Sequence, residues 1–251
     1  MMQVLVPMAG SGMPFSVNGQ VFPKSLAEVH GIPLVSYAVE SIRLNEDMRF
    51  LFVISEEERA RFHLDNVLRL MAPECSIVAT RGKTGGALCS ALLAIDDLNP
   101  DEPLIVCNGD QFIVDDTADK ALADFRRRDL DVGILTFESI HPRWSYVLLN
   151  QDGFVEETAE KDPISRHATV GIYYYKTASV FIKSAEASIR KHSVYSDQYY
   201  ICPSINEVIL VGGRVGAFKL DGDMFYPLGT PEDVERFTKK FTSSPISIDS
   251  K

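Results

Sequence analysis

The sequence has few of the residues that build disulfide-stabilised or zinc-binding proteins. Its 251 residues include four cysteines, none of them in a Cys-x-x-Cys pair: Cys75, Cys89, Cys107 and Cys202. Disulfide frameworks and structural zinc sites need closer and more regular spacing. A chain of this length buries about three-quarters of its unfolded surface, so it needs no covalent staple. We therefore expect free, buried thiols in a reducing compartment.

Long apolar runs and excess positive charge are also missing. No stretch reaches the roughly 18 apolar residues of a membrane span, and Met1–Pro7 shows no export signal. We therefore expect a cytoplasmic protein without a membrane partner. Acidic side chains outnumber basic ones by 35 to 25, giving a formal net charge of −10. Overall repulsion argues against nucleic acid as a partner, although a local basic pocket for a small phosphate stays compatible with this charge.

Several catalytic and nucleotide-binding motifs are absent or incomplete. The sequence contains neither a Gly-x-Ser-x-Gly elbow nor a His-Glu-x-x-His zinc motif, and its five histidines lack metal-ligand spacing. Gly82-Lys83-Thr84 resembles the end of a P-loop, but Ile77 occupies the place of the required first glycine. The turn at Gly10-Ser11-Gly12 lacks the third glycine of the dinucleotide fingerprint, because that position is Phe15. Serine hydrolase, zinc hydrolase, P-loop and dinucleotide chemistry are therefore not predicted.

The first half of the chain alternates short β-rich runs with helical patterns, whose apolar residues recur at three- and four-residue spacing. This alternation predicts a Rossmann-like α/β fold, a mainly parallel sheet flanked by helices, with ligands at the carboxyl ends of the strands. The predicted strands are Gln3–Val6, Phe50–Ile54, Ser76–Ala79 and Leu104–Cys107, and the predicted helices are Pro33–Leu44, Glu56–Met71, Gly85–Ile95 and Ala118–Arg127.

From Asp131 onward, successive strand-like runs predict an antiparallel extension of the sheet. Helical patterns return later, with one further strand among them. We predict a single domain over residues 1–242, divided into halves 1–130 and 131–242, and we expect the polar tail 243–251 to be disordered. The later predicted elements are the helices Ala178–Arg190, Ser204–Leu210 and Pro231–Lys240 and the strand Arg214–Leu220.

A glycine-rich turn directly after the first predicted strand indicates phosphate binding. Further motifs follow in order: Ala9–Gly12, Phe22–Leu26, Gly31–Leu34, Asn108-Gly109-Asp110, Glu160-Lys161, Ala168–Tyr173 and Leu228–Asp233. Together these segments resemble the sugar-nucleotide pyrophosphorylases, a family of nucleotidyltransferases. Three more segments are similar to members that act in surface- and capsule-polysaccharide pathways: Trp144-Ser145-Tyr146, Ala159–Ser165 and Tyr200–Pro203.

The resemblance implies an enzyme that joins a nucleoside triphosphate to a sugar 1-phosphate or a related small phosphate and releases pyrophosphate. A phosphomonoester has its second pKa near ~6 and is already a nucleophile at neutral pH, so no histidine or serine base is needed. The chemistry instead needs cations, backbone N–H groups and a divalent ion. The expected partners are an NTP and a small phosphorylated acceptor, and the expected cofactor is Mg²⁺. Homo-oligomer formation is left open.

The resemblance also implies roles for individual residues. Lys24 and Asp110 are expected to be catalytic, with Lys24 holding the α-phosphate and the acceptor phosphate together. Asp110 is expected to bind Mg²⁺, with Asp221 or Asp223 as a second metal ligand. The first half would bind the nucleotide through Ala9, Gly10, Ser11, Gly12, Gly85, Gly86, Asn108 and Gly109, and the second half would bind the acceptor through Glu160, Lys161, Thr169 and Gly171.

Two departures from the family pattern keep alternatives open. Pro14 stands where the family has an arginine that neutralises the leaving pyrophosphate, and Arg81 or Lys83 is a candidate replacement. Pro227 stands where many members carry a metal-binding aspartate. One alternative is a catalytically weakened regulator that binds a nucleotide or a nucleotide sugar. The other is a glycosyltransferase-like enzyme that uses Asp221-Gly222-Asp223 as its metal-binding Asp-x-Asp.

Overall fold

A mixed β-sheet runs through both halves of the protein. The computed structural model describes residues 1–10, 15–17, 20–114 and 116–241. The strands are β1 (Met2–Pro7), β2 (Phe15–Val17), β3 (Gln20–Phe22), β4 (Glu28–Val29), β5 (Ile32–Pro33), β6 (Met48–Ser55), β7 (Ser76–Thr80), β8 (Leu104–Cys107), β9 (Gln111–Ile113), β10 (Val132–Glu138), β11 (Ser145–Leu149), β12 (Val155–Glu160), β13 (His167–Tyr175), β14 (Val215–Lys219) and β15 (Phe225–Pro227).

Helices cover both faces of this sheet. They are α1 (Leu34–Ser41), α2 (Glu56–Phe62), α3 (Leu64–Met71), α4 (Ala87–Leu92), α5 (Thr117–Arg127), α6 (Ala178–Arg190), α7 (Ile201–Ser204), α8 (Asn206–Leu210) and α9 (Pro231–Lys240), with 3₁₀ turns at Lys24–Leu26 and Ile95–Asp97. Among the described residues, no helix combines the length and the apolar character needed to cross a membrane.

The order of the strands confirms the predicted fold class. In the described part of the chain, nine strands form the main sheet in the order β12-β11-β13-β8-β1-β6-β7, with β10 paired to β13 and β14. Strands β8, β1, β6 and β7 are parallel. Strand β13 pairs antiparallel with β8 and so joins the two halves. Because the parallel strands are covered on both faces, Val4, Leu5 and Val6 are all buried in succession.

Three apolar clusters hold the layers together. On one face, α1, α3 and α5 pack on the sheet through residues such as Val39, Leu68 and Phe125. On the other face, α4, α6 and α7 pack through a separate cluster. A third cluster, centred on the mutually packed rings of Tyr37 and Phe237, joins α1, β9 and α9. This third cluster fixes the segment that precedes α9 at the carboxyl end of the parallel strands.

The structure corrects several predicted element boundaries. The helix predicted over Glu56–Met71 is broken into α2 and α3, because His63 adopts a left-handed conformation with φ 53°. The helix predicted over Gly85–Ile95 is shorter, since Gly86 has an extended, positive-φ backbone that places it before α4. The helix predicted over Ser204–Leu210 begins earlier, as α7, and is divided at Ile205.

Two features of the fold were not predicted. Strand β14 pairs in parallel with β10, although the antiparallel pairing of β10, β11, β12 and β13 follows the prediction. The short pair β9 and β15 links the turn after β8 to the segment before α9.

All four cysteines are free; Cys107 and Cys202 are buried, whereas Cys75 and Cys89 are only half-buried. Burial raises the pKa of the Cys202 thiol to about 12.

Candidate functional site

A cleft of about 670 Å³ opens at the carboxyl ends of the parallel strands. The first half contributes the turns after β1, β7 and β8, including Gly10, Lys83 and Asn108. The second half contributes β11, β12 and β13, including Ser145 and Thr169. This is the edge at which parallel α/β sheets bind ligands. A separate cleft of about 470 Å³, at the amino ends of β6 and β7, contains none of the predicted site residues.

Lys24 and Asp110 meet at the centre of the larger cleft. The ammonium of Lys24 donates to Oδ2 of Asp110 at 2.5 Å. Lys24 begins the 3₁₀ turn that leads toward α1, and Asp110 lies between β8 and β9. The carbonyl of Asp110 accepts the N–H of Leu228 at 2.8 Å, which holds this turn against the segment before α9. Both side chains are about one-quarter exposed, at 23% and 27%, so the pair remains open to a ligand.

The turn after β1 lies beside this pair. Ala9 and Gly10 line the cleft, and the N–H of Met8 donates to the carbonyl of Val53 at 2.7 Å. Gly109 packs closely on this turn, because a Cβ there would lie 2.9 Å from Cγ of Met8. The predicted site residues Ser11 and Gly12, the departure at Pro14 and the tail 243–251 lie outside the described residues.

Gly86 lies where a segment of the second half docks on α4. A Cβ at Gly86 would lie 2.4 Å from the backbone oxygen of Tyr199, and the φ of Gly86 is 127°. The N–H of Tyr199 donates to the carbonyl of Gly85 at 2.8 Å, and the N–H of Leu88 donates to the carbonyl of Tyr199 at 3.1 Å. Gly86 lines the cleft and Gly85 does not. The glycine pair therefore has a packing role, independent of any ligand.

The side of the cleft that the second half contributes contains buried polar side chains. Glu160, at the end of β12, is 9% exposed, and the Ser145 hydroxyl donates to its Oε2 at 2.5 Å. Burial raises the pKa of the Glu160 carboxyl, and the Ser145 hydrogen bond opposes this shift. The hydroxyls of Thr169 and Tyr173 lie 3.2 Å apart. These side chains present hydrogen-bonding groups of the kind that recognise hydroxyls.

Gly171 makes room for two amide side chains at the cleft. It has φ 87°, and a Cβ there would lie 2.2 Å from Nδ2 of Asn108 and 3.0 Å from Oε1 of Gln111. The N–H of Asn108 also donates to the carbonyl of Gly171 at 3.0 Å. Gln111 is 2% exposed, and neither end of its amide has a hydrogen-bond partner among the described residues. Sequence reasoning missed Gln111, although it directly follows the predicted catalytic aspartate.

Lys161 does not line the cleft directly. Its ammonium donates to the hydroxyl of Tyr200, which does line the cleft, at 3.0 Å. Its backbone has φ 53°, an uncommon conformation for a residue with a side chain. Burial opposes the charge of this ammonium, but the hydrogen bond to Tyr200 and the nearby Glu160 carboxyl hold the pKa of Lys161 above its usual value.

An arginine–aspartate pair was also missed from sequence. The guanidinium of Arg143 donates two hydrogen bonds to Asp233, at 3.1 and 3.2 Å, and lies 4.1 Å from the ring centre of Trp144. Asp233 is buried at the start of α9, where its N–H donates to the Thr230 hydroxyl. The signal was present, because Asp233 ends the Gly-Thr-Pro-Glu-Asp motif. Its partner Arg143 could not be found by spacing alone.

The structure does not bring the two candidate second metal ligands to the cleft. Asp221 and Asp223 are exposed and are not among its lining residues. Asp223 instead lies 3.9 Å from the Lys240 ammonium. Within the described ranges, no cluster of three or more His, Cys, Asp or Glu residues is arranged to hold a metal ion. Hard oxygen donors are present as carboxylates: besides Asp110, Glu58 lines the cleft. Burial and the neighbouring Glu57 raise the pKa of Glu58.

The two candidate replacements for the missing family arginine differ in position. Lys83 lines the cleft, is exposed, and forms no ion pair with any described residue. Arg81 is not a lining residue, and its charge contributes to lowering the pKa of Glu56 at the start of α2. Lys83 is therefore the better-placed cation of the two.

Comparisons with known proteins agree with this architecture. No protein-family model matches the sequence. The bifunctional protein GlmU of Thermotoga maritima is 22% identical over 209 residues, which cover 82% of this chain but 44% of that relative. The chain therefore spans less than half the length of this relative.

Solved structures show the same fold. A nucleoside-diphosphate-sugar pyrophosphorylase from Vibrio cholerae RC9 matches with a TM-score of 0.76 and 21% identity, over 94% of this chain and 99% of that one. A UDP-glucose pyrophosphorylase solved with UDP-glucose matches with a TM-score of 0.77 and 17% identity, over 96% and 98%. The predicted resemblance to the sugar-nucleotide pyrophosphorylases is thus confirmed for the fold of almost the whole chain.

Proposed function

We propose that this protein is a nucleotidyltransferase that joins an NTP to a sugar 1-phosphate or a related small phosphate, releasing pyrophosphate. The observation that carries the proposal is the contact of Lys24 with Asp110 at 2.5 Å in the cleft. Two residues that are 86 positions apart in sequence converge beside the glycine turn after β1. The names of the similar proteins, GlmU and two pyrophosphorylases, support this reading.

In the proposed reaction an oxygen of the acceptor phosphate attacks the α-phosphorus in line. The bond between the α-phosphorus and the α,β-bridging oxygen breaks, and pyrophosphate leaves with the bonding electron pair. Lys24 holds the two phosphates together by its ammonium. Lys83 faces the same cleft without an ion-pair partner among the described residues and is proposed to contact the leaving pyrophosphate.

The donor set of the cleft fits Mg²⁺, which usually takes one or two carboxylates and completes its shell with phosphate oxygens and water. Asp110 is the carboxylate proposed to hold the ion, and Glu58 replaces Asp221 and Asp223 as the candidate second ligand. When bound, the ion would neutralise charge on the phosphates.

On the other side of the cleft, the acceptor is proposed to contact Glu160 and Thr169 through its hydroxyl groups. Lys161 supplies a cation for its phosphate. The segments around Trp144, Ala159 and Tyr200 favour a role in surface- or capsule-polysaccharide synthesis within this proposal.

The proposal is tested by pyrophosphate release. The four NTPs are first screened with Mg²⁺ by thermal shift, because a ligand of the native state raises its stability. Each stabilising NTP is then combined with a set of sugar 1-phosphates and small phosphomonoesters. We expect pyrophosphate only when both substrates are present, with release slowed about 10³-fold in the Lys24→Met variant. Binding without release in every combination would favour the regulatory alternative.

A further inference from the structure

We infer that the hydroxyl of Tyr200 positions Lys161 for the acceptor phosphate, which makes Tyr200 a positioning residue of the second half. The inference rests on the proposed function, because it needs an acceptor with a phosphate. Tyr200 begins the Tyr200–Pro203 segment of the sequence resemblance, which gave this residue no role in the reaction, and it follows the backbone of Tyr199 that docks against α4.

The contacts of Lys161 show an ammonium held by a neutral group. Its Nζ donates to the Tyr200 hydroxyl at 3.0 Å and lies 4.8 Å from the centre of the Tyr200 ring. Among the described residues, no carboxylate lies within ion-pair distance of this ammonium, although Glu160 precedes it in sequence. The carboxylate of Glu160 is turned to Ser145 instead. Lys161 therefore keeps its full positive charge available beside the cleft.

The Tyr200 hydroxyl is itself oriented by a second hydrogen bond. It donates to Oε1 of Gln198 at 3.3 Å, which leaves its lone pairs free to accept from Lys161. Gln198 and Tyr200 both line the cleft. The side chains of Lys161, Tyr200 and Gln198 are thus linked by two successive hydrogen bonds, each donated toward Gln198.

The backbone that leads into Tyr200 is fixed by two sets of hydrogen bonds. Tyr199 bonds to Gly85 and Leu88 at the start of α4. Earlier in the same segment, the backbone groups of Tyr195 and Gln198 exchange hydrogen bonds of 2.9 and 3.1 Å across a tight turn. Because the segment is fixed, the hydroxyl of Tyr200 has a defined position. Its hydrogen bond can therefore restrict the long, flexible side chain of Lys161.

Holding Lys161 in place reduces the entropy that is lost when the acceptor phosphate binds. A hydrogen bond to a charged group contributes more than one between neutral groups. Removing the hydroxyl while keeping the ring should therefore weaken acceptor binding by about 10-fold. It should leave the nucleotide subsite unchanged, because that subsite lies in the first half.

The test compares Tyr200→Phe with Tyr195→Phe in steady-state pyrophosphate release, using the NTP and acceptor found for the wild type. Tyr195 is a matched control, because its ring centre also lies near the Lys161 ammonium, at 5.5 Å, but its hydroxyl is not the group that Lys161 bonds. We expect Tyr200→Phe to raise the acceptor KM about 10-fold with the NTP KM unchanged. We expect Tyr195→Phe to behave as the wild type.

A double-mutant cycle separates positioning from a merely structural effect. In the Lys161→Met background, Tyr200→Phe should change the acceptor KM no further. Additive effects, or a Tyr200→Phe variant equal to the wild type, would overturn the inference while leaving the proposed function intact. No pyrophosphate release by the wild type with any pair would instead overturn the proposed function.

A readout on the ligand-free protein is independent of activity. The side-chain NMR signal of Lys161 should move in Tyr200→Phe and stay in place in Tyr195→Phe. An unmoved Lys161 signal in a folded Tyr200→Phe variant would also overturn the inference.

Discussion

The two halves of the cleft are built in different ways. In the first half, turns after parallel strands present backbone groups and small residues, and the Lys24–Asp110 pair lies at the surface of the cleft. In the second half, antiparallel strands present buried side chains that are held by other side chains, as Ser145 holds Glu160. Among the described residues, the first half offers backbone groups and the part-exposed Lys24–Asp110 pair, and the second half offers a preformed polar network.

This difference predicts different consequences for substitutions. Changes to the exposed pair of the first half should remove activity with little effect on stability, since part-exposed ion pairs contribute little to folding. Changes at the contact between the halves, or in the buried network, should alter stability directly, because buried polar groups and close backbone contacts are energetically demanding.

The largest expected effect is on catalysis in the first half. Lys24→Met and Asp110→Asn should each lower kcat/KM for pyrophosphate release by about 10³-fold, as loss of a preorganised charge does in other enzymes. Their free energies of unfolding should stay within about 1 kcal/mol of the wild type. Asp223→Asn is the matched control, because that carboxylate is 92% exposed and is not a lining residue. Activity retained in Lys24→Met would contradict a catalytic role for the Lys24–Asp110 pair. Activity lost in Asp223→Asn would contradict the placing of Asp223 outside the site.

The sequence allowed the first half to be predicted better than the second. The turn at Asn108-Gly109-Asp110 follows a parallel strand and was expected at the ligand edge, and the resemblance to the sugar-nucleotide pyrophosphorylases implied that Lys24 lies beside it. The partners of side chains in the second half depend instead on how loops and helices from distant parts of the chain pack together. Arg143 and Asp233 are 90 positions apart, and Tyr200 contacts Lys161 across 39 positions.

The same reasoning explains which element boundaries were wrong. The apolar spacing over residues 56–71 runs through His63 without a break, but the left-handed backbone of His63 ends α2 and begins α3. The resemblance implied that Gly86 binds the nucleotide. The approach of the Tyr199 backbone, which demands a glycine there, depends on a contact from the other half and is invisible in the local sequence.

The second prediction addresses this contact between the halves. Gly86→Ala should lower the free energy of unfolding by about 2–4 kcal/mol, because the new Cβ meets backbone atoms and the φ of 127° is unfavourable for alanine. Gly222→Ala is the control, since a Cβ there meets no atom within 4 Å. Urea unfolding measures both. A Gly86→Ala variant as stable as the wild type would show that the Tyr199 backbone can move at little energetic cost to accommodate the new Cβ.

The third prediction contrasts two buried glutamines. Gln111 has an unpaired amide, whereas the Gln3 amide donates to the Asn99 carbonyl at 2.9 Å and accepts its N–H at 2.7 Å. Gln111→Leu should raise the free energy of unfolding by about 1–2 kcal/mol, because it removes unpaired buried groups. Gln3→Leu should lower it, since it leaves the backbone of Asn99 unpaired.

Both glutamine variants are measured by urea unfolding under one set of conditions. Equal destabilisation by the two substitutions would mean that the Gln111 amide is well bonded in solution. A stabilised Gln111→Leu variant would show that the cleft keeps an unfavourable polar group where β9 of the first half meets Gly171 of the second half. If the same variant also lost turnover of the acceptor, the destabilising Gln111 amide would have a role in recognising the substrate.

The smallest expected effect is the pH dependence of the buried network. Burial raises the pKa of Glu160, so the folded state binds its proton more tightly than the unfolded state does. The contribution of Glu160 to wild-type stability should therefore fall as pH rises from the usual glutamate pKa of about 4.3 through the raised value. Glu160→Gln lacks this titration. The stability of Glu160→Gln relative to the wild type should increase over that window and become constant at higher pH. The total increase should be smaller than the change in the free energy of unfolding expected for Gln111→Leu.

Glu157→Gln on the same strand is the control for this titration, because Glu157 is exposed. Urea unfolding of the three proteins across the acidic to neutral range gives the two difference curves. The curve for Glu160→Gln should slope over this window. A flat Glu160→Gln curve would mean that the Ser145 hydroxyl and the cleft stabilise the charged carboxylate as well as water does. The second-half side of the cleft would then resemble the part-exposed Lys24–Asp110 pair in its electrostatics. The two sides of the cleft would differ only in geometry.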